Sequence, residues 1–401
     1  MRDHVDSTLL AEAGDLLPEA SRLRQHLHRN PEVGLRLPTT QEALLDALAP
    51  LALEHRLGTT TSSITAMIDG DHDGPTILLR ADMDGLPLHE DTDVGFPSSN
   101  PDTMHACGHD LHVSMLVGAA KLLQDRRKDL HGRVLLMFQP GEEGYHGARF
   151  MLEDGLLDGV GTVDRAFAIH VSTVAPTGFV ALKGGSIMAS ADRVIITVKG
   201  RGGHASAPHQ ALDPIPVACE IVLALQTMVT RSIDVFDPGV VTIGRISAGT
   251  TNNVIPESAE IEGTIRAISE ATRAKIHAGI QRVADGIASA HGAEAIVELI
   301  HGFPVTVNDD HVAGEVLRVA GGLFGEALVR TMPAPVMGAE DFSYVLQKVP
   351  GAMAFLGATP RGIDPRTAAA NHSNRVRFDE DAMPTGIALY AAMALDHLAA
   401  N

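Results

Sequence analysis

The chain has 401 residues, 45% of them hydrophobic and 20% charged, with a formal charge of −19. That length passes the roughly 250 to 300 residues at which a single core stops growing, so two domains are expected. The acidic balance, with no basic block and no aromatic-rich strand, argues against the phosphate-backbone chemistry that runs on Lys and Arg, and no nucleic-acid partner is expected.

No apolar run approaches the roughly 18 to 20 residues of a membrane helix, so no membrane partner is expected either. Met1-Arg2-Asp3-His4-Val5-Asp6 is charged and lacks the apolar core and small-residue cleavage site of a signal peptide, which predicts a cytoplasmic location. Cys107 and Cys219 are the only thiols, too few for a disulfide scaffold, and reduced thiols are expected. With no Trp and few Tyr and Phe, core and pocket must be built from Leu, Ile, Val, Ala and Met.

From about Ser7 to Arg29 apolar residues recur at helical spacing, interrupted by Gly14 and Pro18, which predicts one helix or two short ones. Pro31 and Gly34 end it, and a second helix is expected over about Thr40 to Leu51. After a β-like run around Ile64 to Ile68, Thr76-Ile77-Leu78-Leu79-Arg80-Ala81 reads as a buried central strand, with Asp82 and Asp84 at its exit. A helical pattern starts near Asp110, a residue able to cap its first turn, which places Cys107 and His109 in the loop before it. Arg133 to Gln139 and Ala166 to His170 read as two more buried strands, ending before Glu142-Glu143 and on His170. Three strands that each deliver a ligand-type residue at their end fit an α/β hydrolytic domain.

Beyond Gly184-Gly185 the pattern changes. Arg193 to Lys199 alternates as a half-exposed strand, followed by a helix (about Pro214 to Thr230), two strands (Val240 to Ile246, Glu257 to Arg266), a long helix (about Glu270 to His291) and a strand (Ala295 to Ile300). This β-α-β-β-α-β order predicts an inserted ferredoxin-like α+β domain over residues 187–301, with one open sheet. Buried-strand candidates return at Ala352 to Leu356 and a helix over about Pro384 to Ala400 closes the chain. The first domain, an α/β unit with a mixed central sheet flanked by helices, is therefore expected to be discontinuous, over residues 1–186 and 302–401.

The densest chemistry is Met104-His105-Ala106-Cys107-Gly108-His109-Asp110-Leu111-His112, with three imidazoles, a thiol and a carboxylate in nine residues. Imidazole and thiolate are the nitrogen and sulfur ligands of zinc and its neighbours, so a metal site is expected here, joined by Glu142-Glu143 and by some of His170, His204 and His372. Each residue taken alone has a plainer reading: Cys107 as a small buried hydrophobe, the Glu pair as surface carboxylates, Asp82 and Asp84 as solvated strand-end acids.

In these motifs the chain resembles the M20 family of metallopeptidases and aminoacylases, and more narrowly its amidohydrolase branch of hippurate hydrolases, N-acyl-amino-acid amidohydrolases and auxin-conjugate hydrolases. The resemblance rests on Arg80-Ala-Asp82-Met-Asp-Gly-Leu-Pro87, Met104-His-Ala-Cys-Gly-His-Asp110, Gln139-Pro-Gly-Glu-Glu143, Gly202-Gly-His-Ala-Ser206, Gly263-Thr-Ile-Arg266, Gly338-Ala-Glu-Asp-Phe342 and Asn371-His-Ser373, and spans nearly the whole chain.

The resemblance implies two divalent metal ions held by Cys107, His109, Glu143, His170 and His372, with Cys107 in the place of a bridging carboxylate and Glu142 as general base. It makes the inserted domain a lid and dimerisation domain, in which His204 steadies the carbonyl oxyanion, often across a dimer interface, and Asn253 and Arg266 hold the substrate carboxylate. A homodimer or higher homo-oligomer is expected. Asp82 is the candidate to support a metal-bound imidazole, and His105 and His112 are read as lying behind the ligands or at the surface. Zinc, cobalt and nickel suit the thiolate and imidazoles, and two glutamates also admit manganese. The expected reaction is hydrolysis of small N-acyl amino acids to a carboxylic acid and a free amino acid. Deacetylation of an N-acetyl-diaminopimelate-type compound and dipeptide cleavage stand as alternatives, with a Cys107-His nucleophile and a non-catalytic metal-binding scaffold more remote. Asn374, where relatives commonly have proline, leaves the shape of that loop open.

Overall fold

Continuous apolar runs set the strands that carry the site. The computed structural model describes residues 8–399, so the N-terminal hexapeptide and the outer ends of the first and last expected helices, Ser7 and Ala400, lie outside the described residues. In chain order the strands of the two larger sheets are β1 (Glu54–Leu57), β2 (Ile64–Asp69), β3 (His72–Asp82), β4 (His131–Gln139), β5 (Arg165–Pro176), β6 (Val180–Leu182), β7 (Asp192–Lys199), β8 (Gly239–Ala248), β9 (Ser258–Ala267), β10 (Glu294–His301), β11 (Val329–Thr331) and β12 (Gly351–Thr359). Four helices matter most: α1 (His109–Asp125), α2 (Pro214–Ser232), α3 (Glu270–Ala290) and α4 (Met383–His397).

One compact unit comprises Met1–Ile187, Val307–Ala334 and Tyr344–Asn401. Its sheet runs β1-β2-β4-β3-β5-β12-β6-β11 and is mixed: β4, β3, β5 and β12 are parallel neighbours, β1–β2, β2–β4 and β12–β6 are antiparallel, and β11 runs parallel to β6. The second half of β3, from Thr76 to Asp82, is buried throughout, because central parallel strands are covered on both faces. Helix α1 is buried along almost its whole length, packed against β3, α4 and the helix Leu17–Arg29.

The other unit comprises Met188–Thr306 and Pro335–Ser343. Its sheet runs β8-β9-β7-β10 with every pair antiparallel, and its elements follow the order β7-α2-β8-β9-α3-β10, a ferredoxin-like topology. Val194, Ile196 and Val198 of β7 alternate inward and meet Val217, Ile221 and Leu225 of α2 and Ile276 and Ile280 of α3. Helices cover one face only.

The N-terminal apolar pattern forms two helices, Leu9–Asp15 and Leu17–Arg29, the second of the two forms expected. Other local expectations need correcting. Asp110 does not cap α1: Gly108 occupies the cap position and Asp110 lies inside the helix, its carboxylate drawn to Arg24 and His28. His109 is accordingly the first helical residue, with Cys107 in the loop before it. His170 lies inside β5, which continues to Pro176 because β12 keeps pairing with it after β3 stops at Ala168. Helix α2 is long and apolar enough, by length and composition, to cross a membrane, which the sequence reading missed, but Val217, Ile221, Leu225 and Met228 pack on the sheet.

Tyr390 of α4 ties this frame together. Its buried hydroxyl accepts from Ile169 N at 3.0 Å and donates to Arg80 O at 2.7 Å, joining β5 and β3 one residue before His170 and two before Asp82. Tyr390→Phe leaves the Ile169 N–H without this partner, and a stability loss of about 1–3 kcal/mol is expected, read from the shift of the urea unfolding midpoint.

Candidate metal centre

The carboxyl ends of β3, β4 and β5 converge, and the loops leaving them bring the donors together. Cys107 sits just before α1, where Gly108 adopts φ +87° and a Cβ would collide with Val171 of β5. This close approach sets the Cys107 sulfur 3.4 Å from His170 Nε2. His372 takes φ +70°, and its N–H donates to Ala106 O at 2.8 Å, which turns its ring to the other side of the same sulfur, with Nε2 at 3.3 Å. The Asn371 amide fixes this loop by donating to Cys107 O at 3.2 Å and Val171 O at 3.0 Å. Asn374 is absorbed without a proline: its carbonyl accepts from Asp91 N at 2.8 Å.

Two three-donor sets result, each with its donor atoms within 4.8 Å of one another: Cys107, His109 and His170, and Cys107, Glu143 and His372. The sulfur belongs to both. Glu143 Oε1 lies 3.1 Å from His372 Nε2 and 4.0 Å from His109 Nε2, and Glu142, buried beside it, joins a further set with His109 and Glu143.

Two observations test whether these residues fit metal ions. Neither ring nitrogen of the fully buried His109 makes a well-formed hydrogen bond, although Asp84 Oδ1 lies 3.4 Å from Nδ1 and Asp82 Oδ2 3.6 Å from Nε2. Buried polar atoms left without a partner are costly, and an imidazole held among anionic donors stands where a metal ligand would. The electrostatics agree. Burial alone would raise the Cys107 thiol, yet His170, by its charge and its hydrogen bond, brings it to about 6. His372 is pushed up to about 10 by its bonds to Cys107 and Glu143. His109, despite its burial, is driven well above the ordinary histidine range by Asp82, Asp84 and Cys107. Burial would also raise Glu143, but His372 and His109 hold it low. The donors thus carry excess negative charge that protons on imidazoles neutralise, and cations can take their place.

Behind the donors lies a hydrogen-bonded support. His112 Nε2 accepts from Val171 N at 2.8 Å, so its proton resides on Nδ1 and is donated to Asp82 Oδ1 at 2.5 Å. Burial keeps this ring neutral, with a pKa lowered to about 4. Arg80 holds the other oxygen of Asp82 at 2.6 Å and reaches Gln139 Oε1 at 2.9 Å. His105 and His112 are both buried, so neither is a surface residue. Asp84 is the residue that sequence reasoning passed over. Its two oxygens accept from Glu142 N and Glu143 N, each at 3.0 Å, clamping the backbone of both glutamates. The signal was available in the Asp-x-Asp spacing at a strand exit.

The remaining expected site residues lie in the second unit. His204 is exposed on the two-residue strand Gly203–His204, paired with Val254–Ile255. Its Nδ1 accepts from Ser206 N at 3.1 Å, which leaves the neutral ring's proton on Nε2. Asn253 is its neighbour, with its carbonyl accepting from Ala205 N at 3.1 Å. Arg266 stands at the other end of β9, half-buried, with Nη1 on Thr264 Oγ1 at 2.7 Å.

A family model for Peptidase family M20/M25/M40 matches residues 78–396, a span that holds every donor above. The chain belongs to that family. Among its M20 relatives, the thermostable carboxypeptidase 2 of Saccharolobus solfataricus is 39% identical over 378 residues, covering 93% of this chain and 94% of that protein. The N-acetylcysteine deacetylase of Bacillus subtilis is 36% identical over 374 residues, covering 93% and 95%. A Bacillus subtilis structure described as a dinuclear metal binding peptidase from the M20 family superposes with a TM-score of 0.82 at 32% identity, covering 96% of this chain and 99% of that one.

At neutral pH the raised values leave His372 and His109 protonated, whereas Cys107 at about 6 is mostly thiolate. Metal ligands must be deprotonated, so loading metal-free protein with Zn2+ near neutral pH is expected to release about two protons per chain. Calorimetric titration in buffers of different ionisation enthalpy measures this, and zero release would refute the assignment of these two imidazoles.

Proposed function

We propose that this M20-family protein hydrolyses the amide bond of N-acyl amino acids at two divalent metal ions held by Cys107, His109, Glu143, His170 and His372. The observation that carries the reading is the single sulfur common to two three-donor sets. When bound, a pair of ions supplies Lewis acidity, polarising the scissile carbonyl and lowering the pKa of water from about 15.7 towards 7.

The chain's own residues do the rest. Glu142, held in place through its backbone by Asp84, accepts the proton of the attacking water and passes it to the leaving amine, while its neighbour Glu143 serves as an anionic ligand. The Nε2 proton of His204 is a donor for the developing oxyanion. Arg266 offers the guanidinium that pairs with a free α-carboxylate, with Asn253 as a second polar contact. The name of the Bacillus relative supports an N-acyl amino acid, and that of the Saccharolobus relative supports a peptide with a free carboxyl end. Both kinds of substrate present an amide beside a carboxylate.

His204 pairs with Val254, four residues before β9 begins at Ser258, and Arg266 stands near the far end of that strand, eight residues on from Ser258. At 3.3 Å per residue the separation is about 25 Å, too far for one copy of this unit to place both on one small substrate. We therefore infer that His204, and Asn253 beside it, serve the substrate bound by a second copy of the chain in a homo-oligomer.

Glu142→Ala is expected to keep its metal by elemental analysis while losing about 10²- to 10⁴-fold in amino-acid release from a panel of N-acyl amino acids and dipeptides. Near-normal release would remove Glu142 as the base. Mixing inactive Glu142→Ala with inactive His204→Ala chains is expected to restore part of the activity, because mixed dimers contain one site with both residues; no recovery after subunit exchange would sink the second-copy role.

A further inference from the structure

In the second unit an acid and two imidazoles converge from three elements. Asp192 opens β7, and His301 closes β10 as its direct cross-strand partner. Residues opposite each other in an antiparallel pair share one face, with their Cβ atoms about 4.5–5.5 Å apart. His277 reaches the same face from α3, its Nε2 2.8 Å from Asp192 Oδ2. The two imidazole rings lie 5.1 Å apart at 68°, and one donor atom of each of the three residues falls within 4.8 Å of the others. The Asp192 side chain is fully buried, whereas His301 is exposed and opens the cluster to solvent.

The carboxylate is already fixed. Arg273 grips it with Nη2 at 2.5 Å and Nε at 2.8 Å, and Gly302 N donates to Oδ1 at 2.9 Å. The plain reading is an ion network that fastens α3 to the strand ends. It accounts for Asp192, Arg273 and His277 but gives no reason for a second imidazole at His301.

We propose that Asp192, His277 and His301 form a further metal site, separate from the Cys107 centre, for a borderline first-row divalent ion such as Zn2+. Two imidazoles and a carboxylate are a zinc donor set with room for water in the fourth position. The ion takes the place of the proton between His277 Nε2 and Asp192 Oδ2, and the remaining ring proton resides on Nδ1. Tetrahedral zinc with bonds near 2.0–2.1 Å separates its ligand atoms by about 3.3 Å, so His277 must withdraw by only about 0.5 Å. Arg273 stays on the carboxylate as the outer partner that orients it. Glu270, 3.1 Å from Arg273, and Asp192 balance Arg273 and the nearby Arg266, so the cluster has little net charge. It selects by nitrogen coordination, which favours Zn2+, Ni2+ or Cu2+ over Mg2+ or Ca2+.

The test is metal stoichiometry of the full chain, by elemental analysis after equilibrium dialysis against Zn2+. Wild-type protein is expected to hold one equivalent more than His301→Ala, an exposed position whose truncation leaves the fold intact. The dissociation constant of that equivalent should rise by at least the about 10- to 100-fold that even an outer partner is worth. In Co2+-loaded protein the same equivalent adds ligand-field absorption without thiolate charge transfer, which separates it from Cys107. His131→Ala, which breaks a stacked surface pair with His72, is the control and is expected to keep the extra ion. Equal stoichiometry in wild type and His301→Ala, or loss in His131→Ala instead, overturns the proposal. Hydrolysis is not the readout, so the result stands apart from the assignment of the catalytic centre.

Discussion

A buried thiolate must be met by positive charge, and that demand organises the first unit. The Cys107 sulfur is withdrawn from water and flanked at 3.4 and 3.3 Å by His170 of β5 and His372 of a loop near the chain's end. An isolated buried anion costs several kcal/mol, so the strand ends, the Gly108 turn and the left-handed backbone of His372 are all geometry that delivers compensation to one atom. Protons on His372 and His109 fill this role in the metal-free chain. A pair of divalent cations fills it better, since each replaces a proton with twice the charge and coordinates several donors at once.

Around that sulfur the support is layered by hydrogen bonds, not by further donors. Asp84 fixes the backbone of Glu142 and Glu143, so the base and the anionic ligand share one anchor and move together. Arg80, Asp82 and His112 form a second anchor beneath His109, in which each proton has a single place to be. A neutral His112 between a carboxylate and a backbone N–H transmits orientation without charge. The proposed base therefore needs no mobile loop to reach its position within this unit.

Much of this was legible in the chain. Short apolar runs at Ile77 to Leu79 and Val134 to Phe138, bounded by turn residues, suit buried central strands, and polar residues after them emerge at one edge of the sheet. The ferredoxin-like order of the second unit followed from alternation alone. What escaped was decided by partners distant in sequence. Asp110 looked like a helix cap because its local spacing allows one, but Arg24, 86 residues earlier, holds it inside the helix. The tautomer of His112 depends on a backbone N–H 59 residues away. Asp82 lies behind His112 and His109 as a supporting carboxylate, whereas Asp84, two residues on, is held by the backbone N–H groups of the glutamates, contacts 58 and 59 residues away in sequence. Helix α2 misled in the other direction, its apolar run being long but one-sided in its packing.

The shared sulfur also concentrates risk. A carboxylate bridge does not enter the cysteine oxidation ladder, whereas on the proposed ligand set a single oxidation of Cys107 to a sulfenic or sulfinic acid would strip a donor from both donor sets at once. Bound cations and burial shield the thiolate, so the chain is most vulnerable in the interval between synthesis and metallation.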